Sequence, residues 1–152
     1  AASMPPKLRA PENVWTYPRP ARAERTAARL RVVWTDAQGT ETTLADTTDG
    51  YRVLETSHPP TYYFPPSAVR LDLLKPSAAR RTLCEWKGQA LYHDLLRCVR
   101  GTPDASGPLL TCTPVDDDQV VPQEGDFYGS WITPEITGGD KGFKGGAGTW
   151  GW

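Results

Sequence analysis

Fifteen prolines and fourteen glycines are spread through the 152 residues, and their spread limits what the chain can build. A proline inside a helix removes a donor and collides with the preceding turn, and an interior glycine costs about 1 kcal/mol against alanine. Few stretches remain in which a long helix could run. Short strands joined by turns are the architecture left open, a mainly β domain. Apolar residues make up 38% of the chain and include six Trp, so a single core can still be buried at this length.

Charge and cysteine usage narrow the partners. A formal net charge of −1 gives no broad basic field, so nucleic acid is not an expected partner. No stretch approaches the roughly eighteen consecutive apolar residues of a spanning helix, so no membrane partner is expected either. Cys84, Cys98 and Cys112 form no C-x-x-C pair. Reduced thiols, a cytoplasmic location and no metal site follow as expectations, because structural zinc ligands come in close pairs. No cofactor is expected.

Three regions are expected. Residues 1–28, rich in Pro, Arg and Ala, read as an extended arm anchored by Trp15 and Tyr17. Residues 29–122 form the β domain. "RLRVVWTD" and "TETTLADT" make a hairpin with Gly39 at its turn, and "YRVLET" is a third strand. Pro59 and Pro60 cannot continue a central strand, so the chain is expected to bend there before "TYYF". "PPSAVRLDLLKPS" is the one short helix expected, capped by Ser67 and ended by Pro76. "RTLCEWKGQALYHDLLRCV" reads as the strongest hairpin. Its loop is either Lys87-Gly88 or three residues with Gly88 left-handed, and both registers fit the residues. "LLTCT" and "QVV" are further strands. Residues 123–152 read as a Gly-rich tail pinned by aromatics, with little regular structure.

The chemistry-bearing residues gather in two motifs. "CEWKG" sets a thiol, a carboxylate, an indole and an ammonium side by side, with Lys87 as an anion binder at the turn and Trp86 as a stacking wall. "LETSHPPTYYFP" holds Glu55 and His58, which a bend at the prolines would bring together as a carboxylate–imidazole pair. Other signals are weaker. "GGDKGFKGG" lacks the phosphate-loop pattern, and the D-x-D of Asp116 and Asp118 reads as a solvated turn.

"ENVWTYPRP", "VLETSHPPTYYFPP", "CEWKGQALY", "GDFYGSWITPEI" and "FKGGAGTWGW" carry a resemblance. The chain resembles the long form of the domain-of-unknown-function 427 family over most of residues 12–152. The resemblance implies a β-tent, two antiparallel sheets joined near one edge and splayed, and it brings a nucleotidyltransferase-type label. Many β-tent proteins hold zinc on two C-x-x-C pairs, which this sequence lacks. By fold analogy Trp86 is a candidate pocket wall.

Three function classes follow. The leading expectation is a small molecule of unknown identity in an aromatic-lined pocket between the sheets, met by Glu55, His58, Tyr63, Cys84, Trp86, Lys87 and Tyr92. The second is an enzyme, either a nucleotidyltransferase or one that uses the Cys84 thiol. The third is an interaction module in which arm or tail binds a protein partner or a second copy of the chain.

Overall fold

A computed structural model describes residues 9–84, 88–95, 114–115, 118–119, 121–123 and 131–144. Strands dominate. In chain order the first six are β1 (Glu12–Asn13), β2 (Arg22–Thr26), β3 (Leu30–Thr35), β4 (Glu41–Thr47), β5 (Gly50–Glu55) and β6 (His58–Tyr63). Then come β7 (Leu74–Pro76), β8 (Thr82–Cys84), β9 (Gly88–Ala90) and β10 (His93–Leu95). The last five are β11 (Pro114–Val115), β12 (Asp118–Gln119), β13 (Val121–Pro122), β14 (Trp131–Ile132) and β15 (Ile136–Thr137). Among the described residues the helices are single 3₁₀ turns, and none is long and apolar enough to cross a membrane.

Two sheets organise the fold. One is four-stranded, in the order β12-β11-β3-β4, and the other three-stranded, in the order β2-β5-β6. Val32, Val33 and Trp34 give β3 its strand propensity. Asp36 then closes the β3–β4 turn: its carboxylate accepts from the Gln38 and Thr40 amides at 2.9 and 2.8 Å, and Gly39 takes φ +83. Glycine is also required where β5 starts. A β-carbon on Gly50 would stand 2.5 Å from Leu30 Cδ1, and Leu30 is fully buried against Ala28, Tyr62 and Phe64. A second core joins Val14, Tyr17, Leu54 and Ile136, with Trp15, Ile132 and Phe143 packed on it. Burying each such side chain contributes on the order of 1.5–3 kcal/mol.

Several sequence expectations are corrected. Residues 22–26, read as the end of an arm, form β2 and pair with β5 from Arg22↔Leu54 to Thr26↔Gly50. The chain does not bend out of the sheet at Pro59 and Pro60. Both lie within β6 and are fully buried. β6 is an edge strand, where a missing N–H breaks no ladder, and its register with β5 shifts between Val53 and Glu55, beside the prolines. The short helix is replaced by two 3₁₀ turns, Pro66–Ala68 and Leu71–Leu73, followed by β7. Pro65 occupies the cap position without a side-chain hydrogen bond, and Val69 is drawn into a bridge with Ala45. The hairpin predicted over 81–98 is shorter than its sequence suggests. β8 pairs with β9, and β10 turns away to pair with β7. "LLTCT" lies outside the described residues.

The tail is more regular than expected. β14 pairs with β13, and β15 pairs in parallel with β1, Glu12 facing Ile136. Trp15 and Tyr17 serve as anchors. The Trp15 indole donates to the Gly142 carbonyl at 2.7 Å, and Lys141 stands over its ring. The segment 12–17 thus lies between the β5–β6 hairpin and the segment 131–144.

Candidate functional site

Glu55 ends β5 and His58 begins β6. The two residues between them, Thr56 and Ser57, make a tight turn, and the ladder sets Glu55 directly opposite His58. The backbones are thus opposed by a turn at Thr56–Ser57, not by a bend at the prolines, and the His58 ring meets the Pro59 carbonyl while Glu55 meets Lys144. Ser57 takes φ +70, uncommon for a residue with a β-carbon. Its neighbours hold it there. The Ser57 amide donates to the Val14 carbonyl at 2.9 Å, and the Ser57 carbonyl accepts from the Lys144 amide at 2.7 Å. The Thr56 hydroxyl donates to the Tyr17 carbonyl at 2.7 Å.

Lys144 brings the tail onto this turn. Its ammonium lies 3.4 Å from a Glu55 carboxylate oxygen, with side-chain exposures of 14% and 17%. Its carbonyl accepts from the Gln123 carboxamide at 2.6 Å. Ser57, His58 and Gln123 are buried. The His58 Nδ1 lies 2.7 Å from the Pro59 carbonyl. A carbonyl only accepts, so Nδ1 carries the proton. The Glu55 carboxylate and the Lys144 ammonium thus meet beside the turn, His58 follows the turn in the chain, and the Gln123 carboxamide is tied to the Lys144 backbone.

The other predicted residues are placed elsewhere. Tyr63 is at the far end of β6, about 17 Å of strand from His58. The Cys84 thiol lies close enough to add to partial burial in raising the Tyr63 phenol above its ordinary value of 10.0. Tyr92 shares a 2.5 Å hydrogen bond with Thr82 across the small hairpin and stays exposed. Trp86 and Lys87 lie outside the described residues. They fall between Cys84 and Gly88, which pair with Gly88 at φ +81, so Gly88 is left-handed as expected but stands in the ladder and not in the loop, and neither expected register is adopted. The predicted set thus divides: Glu55 and His58 at one end of β6, Tyr63 and Cys84 at the other. Among the described residues no group of three His, Cys, Asp or Glu is gathered for a metal ion.

Sequence reasoning missed Lys144 and Gln123. "FKGG" carries no pattern that points a lysine at a carboxylate 89 positions away. It also missed a second polar cluster. Glu24, Arg52 and Tyr62 stand in one cross-strand row of the three-stranded sheet. Arg52 grips Glu12 through two contacts of 2.9 and 3.0 Å and reaches Glu24 at 2.6 Å. The Tyr17 hydroxyl donates to Glu12 at 2.6 Å. Burial raises the Glu12 carboxyl, but hydrogen bonds from Arg52 and Tyr17 outweigh it and hold the group below its ordinary value. Burial first, then the bond to Glu12, holds the Tyr17 phenol well above its own.

No curated protein matches the chain. The family model for a domain of unknown function, DUF427, matches residues 22–105, which is 105 − 22 + 1 = 84 residues and more than half of the 152. The match takes in β2 through β10 and the residues Glu55, His58, Tyr63 and Cys84, while Gln123 and Lys144 lie beyond it. The chain belongs to the DUF427 family.

Proposed function

We propose that this domain binds a small molecule at the Thr56–Ser57 turn, against Glu55, His58, Gln123 and Lys144. The observation that supports this most is the largely buried Glu55–Lys144 pair, with the buried Gln123 bonded to the Lys144 backbone and the buried His58 next to the turn. Polar groups of different kinds gathered at low exposure are the usual chemistry of a ligand site. This reading moves the pocket from the sheet interior, where Tyr63, Trp86 and Tyr92 were expected to wall it, to the end of the β5–β6 hairpin.

The test is a fragment titration of the isotopically labelled chain, read at backbone and side-chain amides. Saturable shifts centred on Ser57, His58, Gln123 and Lys144 are expected. Shifts centred on Tyr63, Cys84 and Tyr92, or none, would overturn the reading. The label of the family model favours a second reading, nucleotidyl transfer, in which Lys144 would meet a phosphate. Including ATP with magnesium in the same titration separates the two.

A further inference from the structure

The two largest sheets end in β12, β4, β2 and β6, and three of these edges are blunted against further pairing. β12 is only two residues long. β4 is covered by the Val69 bridge to Ala45 and by the Arg70 amide, which donates to the Leu44 carbonyl at 2.7 Å. β6 carries Pro59 and Pro60, which offer no N–H. β2 differs. It runs for five residues without proline, and its register with β5 is unbroken. Among the described residues it has a ladder partner on the β5 side alone. Arg22, Ala23 and Arg25 on it are exposed.

We propose that β2 pairs antiparallel with β2 of a second copy of the chain, about a two-fold axis at Ala23, joining two three-stranded sheets into one. Charged residues on an edge normally deter pairing. On β2 they select a register. A two-fold axis perpendicular to the sheet sets one residue opposite its own copy, so the five residues of β2 offer five registers. Centring on Arg22, Glu24 or Arg25 puts like charges face to face. Centring on Thr26 pairs no opposite charges. Centring on Ala23 puts a small side chain at the axis and sets Arg22 opposite Glu24 of the second copy, twice. Glu24 is prepared for this contact. One of its oxygens accepts from Arg52 at 2.8 Å, while the other meets Arg22 of its own strand at 3.4 Å. Neighbouring strands lie about 4.8 Å apart, against about 6.8 Å between alternate residues of one strand, so Arg22 of the second copy comes nearer than its own. The cross-strand row of Tyr62, Arg52 and Glu24 then gains a further cation.

The experiment is sedimentation velocity of the full chain over a range of concentrations. A monomer–dimer equilibrium is expected. Arg22→Glu and Glu24→Arg should each weaken the dimer by about tenfold or more, because like charges then meet twice. Mixed in equal amounts, the two variants should dimerise again, since one supplies both anions and the other both cations. If Glu24→Arg fails to fold, Ala23→Cys carries the test. The two copies of position 23 lie about 4.5–5.5 Å apart between α-carbons, within disulfide reach, so mild oxidation should join them, as read by peptide mass. Arg25→Cys should not cross-link in this way, its copies being about 14 Å apart. A chain that stays monomeric up to about 1 mM would overturn the proposal. So would a dimer indifferent to Arg22→Glu, or cross-linking at position 25 as ready as at position 23.

Discussion

Arg52 holds Glu12 through two parallel contacts of 2.9 and 3.0 Å and Glu24 at 2.6 Å, whereas Lys144 approaches Glu55 at 3.4 Å. Both clusters are fastened to the same hairpin, and both include a residue from a distant segment. Their geometry differs. A guanidinium is a rigid planar fork, and here it is matched bidentately to one carboxylate and directed to a second. An ammonium is a point charge on a flexible stem, and at 3.4 Å it is near the outer limit of a hydrogen bond. The first cluster is built to hold segment 12–17 on the sheet. The second joins its two groups through a single, longer contact.

Arg52→Met should give the largest effect. It leaves Glu12 and Glu24 without their shared cation in a half-buried row. A loss of about 2 kcal/mol is expected, between the values for exposed and fully buried pairs. At this chain length that lowers the melting temperature by about 4–8 °C. A loss no greater than that of Lys144→Met would erase the distinction between the clusters.

An acid titration of stability sharpens it. The folded-state pKa of Glu12 is depressed, so the unfolded chain takes up the proton first. The contribution of Glu12 is fully present above its ordinary value of 4.5 and is lost as pH falls through the lower folded value. Urea midpoints measured downward from pH 6 should show this loss in the native chain. The Arg52→Met variant should show a flatter acid limb, because the strongest cause of the depression is gone.

Gly88→Ala supplies a reference with no change of charge. Nothing lies within 4 Å of the added β-carbon, and φ is +81. The expected cost is therefore backbone strain alone, about 1 kcal/mol. A variant as stable as the parent would show that the β8–β9 hairpin contributes nothing to global unfolding. Lys144→Met should cost less stability than Arg52→Met, because one carboxylate rather than two loses its cation and the backbone bonds of Lys144 to Ser57 and Gln123 remain. Its ligand affinity should nonetheless fall, and that split between stability and binding is the measurement that sets the two clusters apart.

What could be read from sequence was local. The β3–β4 hairpin follows from β-branched residues around Asp36 and Gly39, and the positive φ at Gly88 follows from its place after a short loop. The sequence signals failed where the answer depended on position in the sheet. Pro59 and Pro60 forbid a central strand but permit an edge, and nothing in "HPPTYY" tells the two apart. Val69, Leu71, Leu73 and Leu74 suggest a helix by composition, yet the prolines on both sides leave too few donors to sustain one. For the candidate site the closeness of Glu55 and His58 was legible because they are near in the chain, but the turn was expected at Pro59 and Pro60 and lies at Thr56 and Ser57. Lys144, Gln123 and the Glu12–Arg52 grip were not, because each depends on how distant segments dock.

The parallel seam between β1 and β15 gives the molecule an order of assembly. Glu12 and Ile136 are 136 − 12 = 124 positions apart, so closing the seam carries the entropy of a very long loop. The β3–β4 and β5–β6 hairpins need no such closure and can form while the chain is still being made. The seam must wait until Ile136 has left the ribosome, and Lys144 docks on Ser57 only after that. A nascent chain therefore has these hairpins before the Lys144 ammonium can reach Glu55.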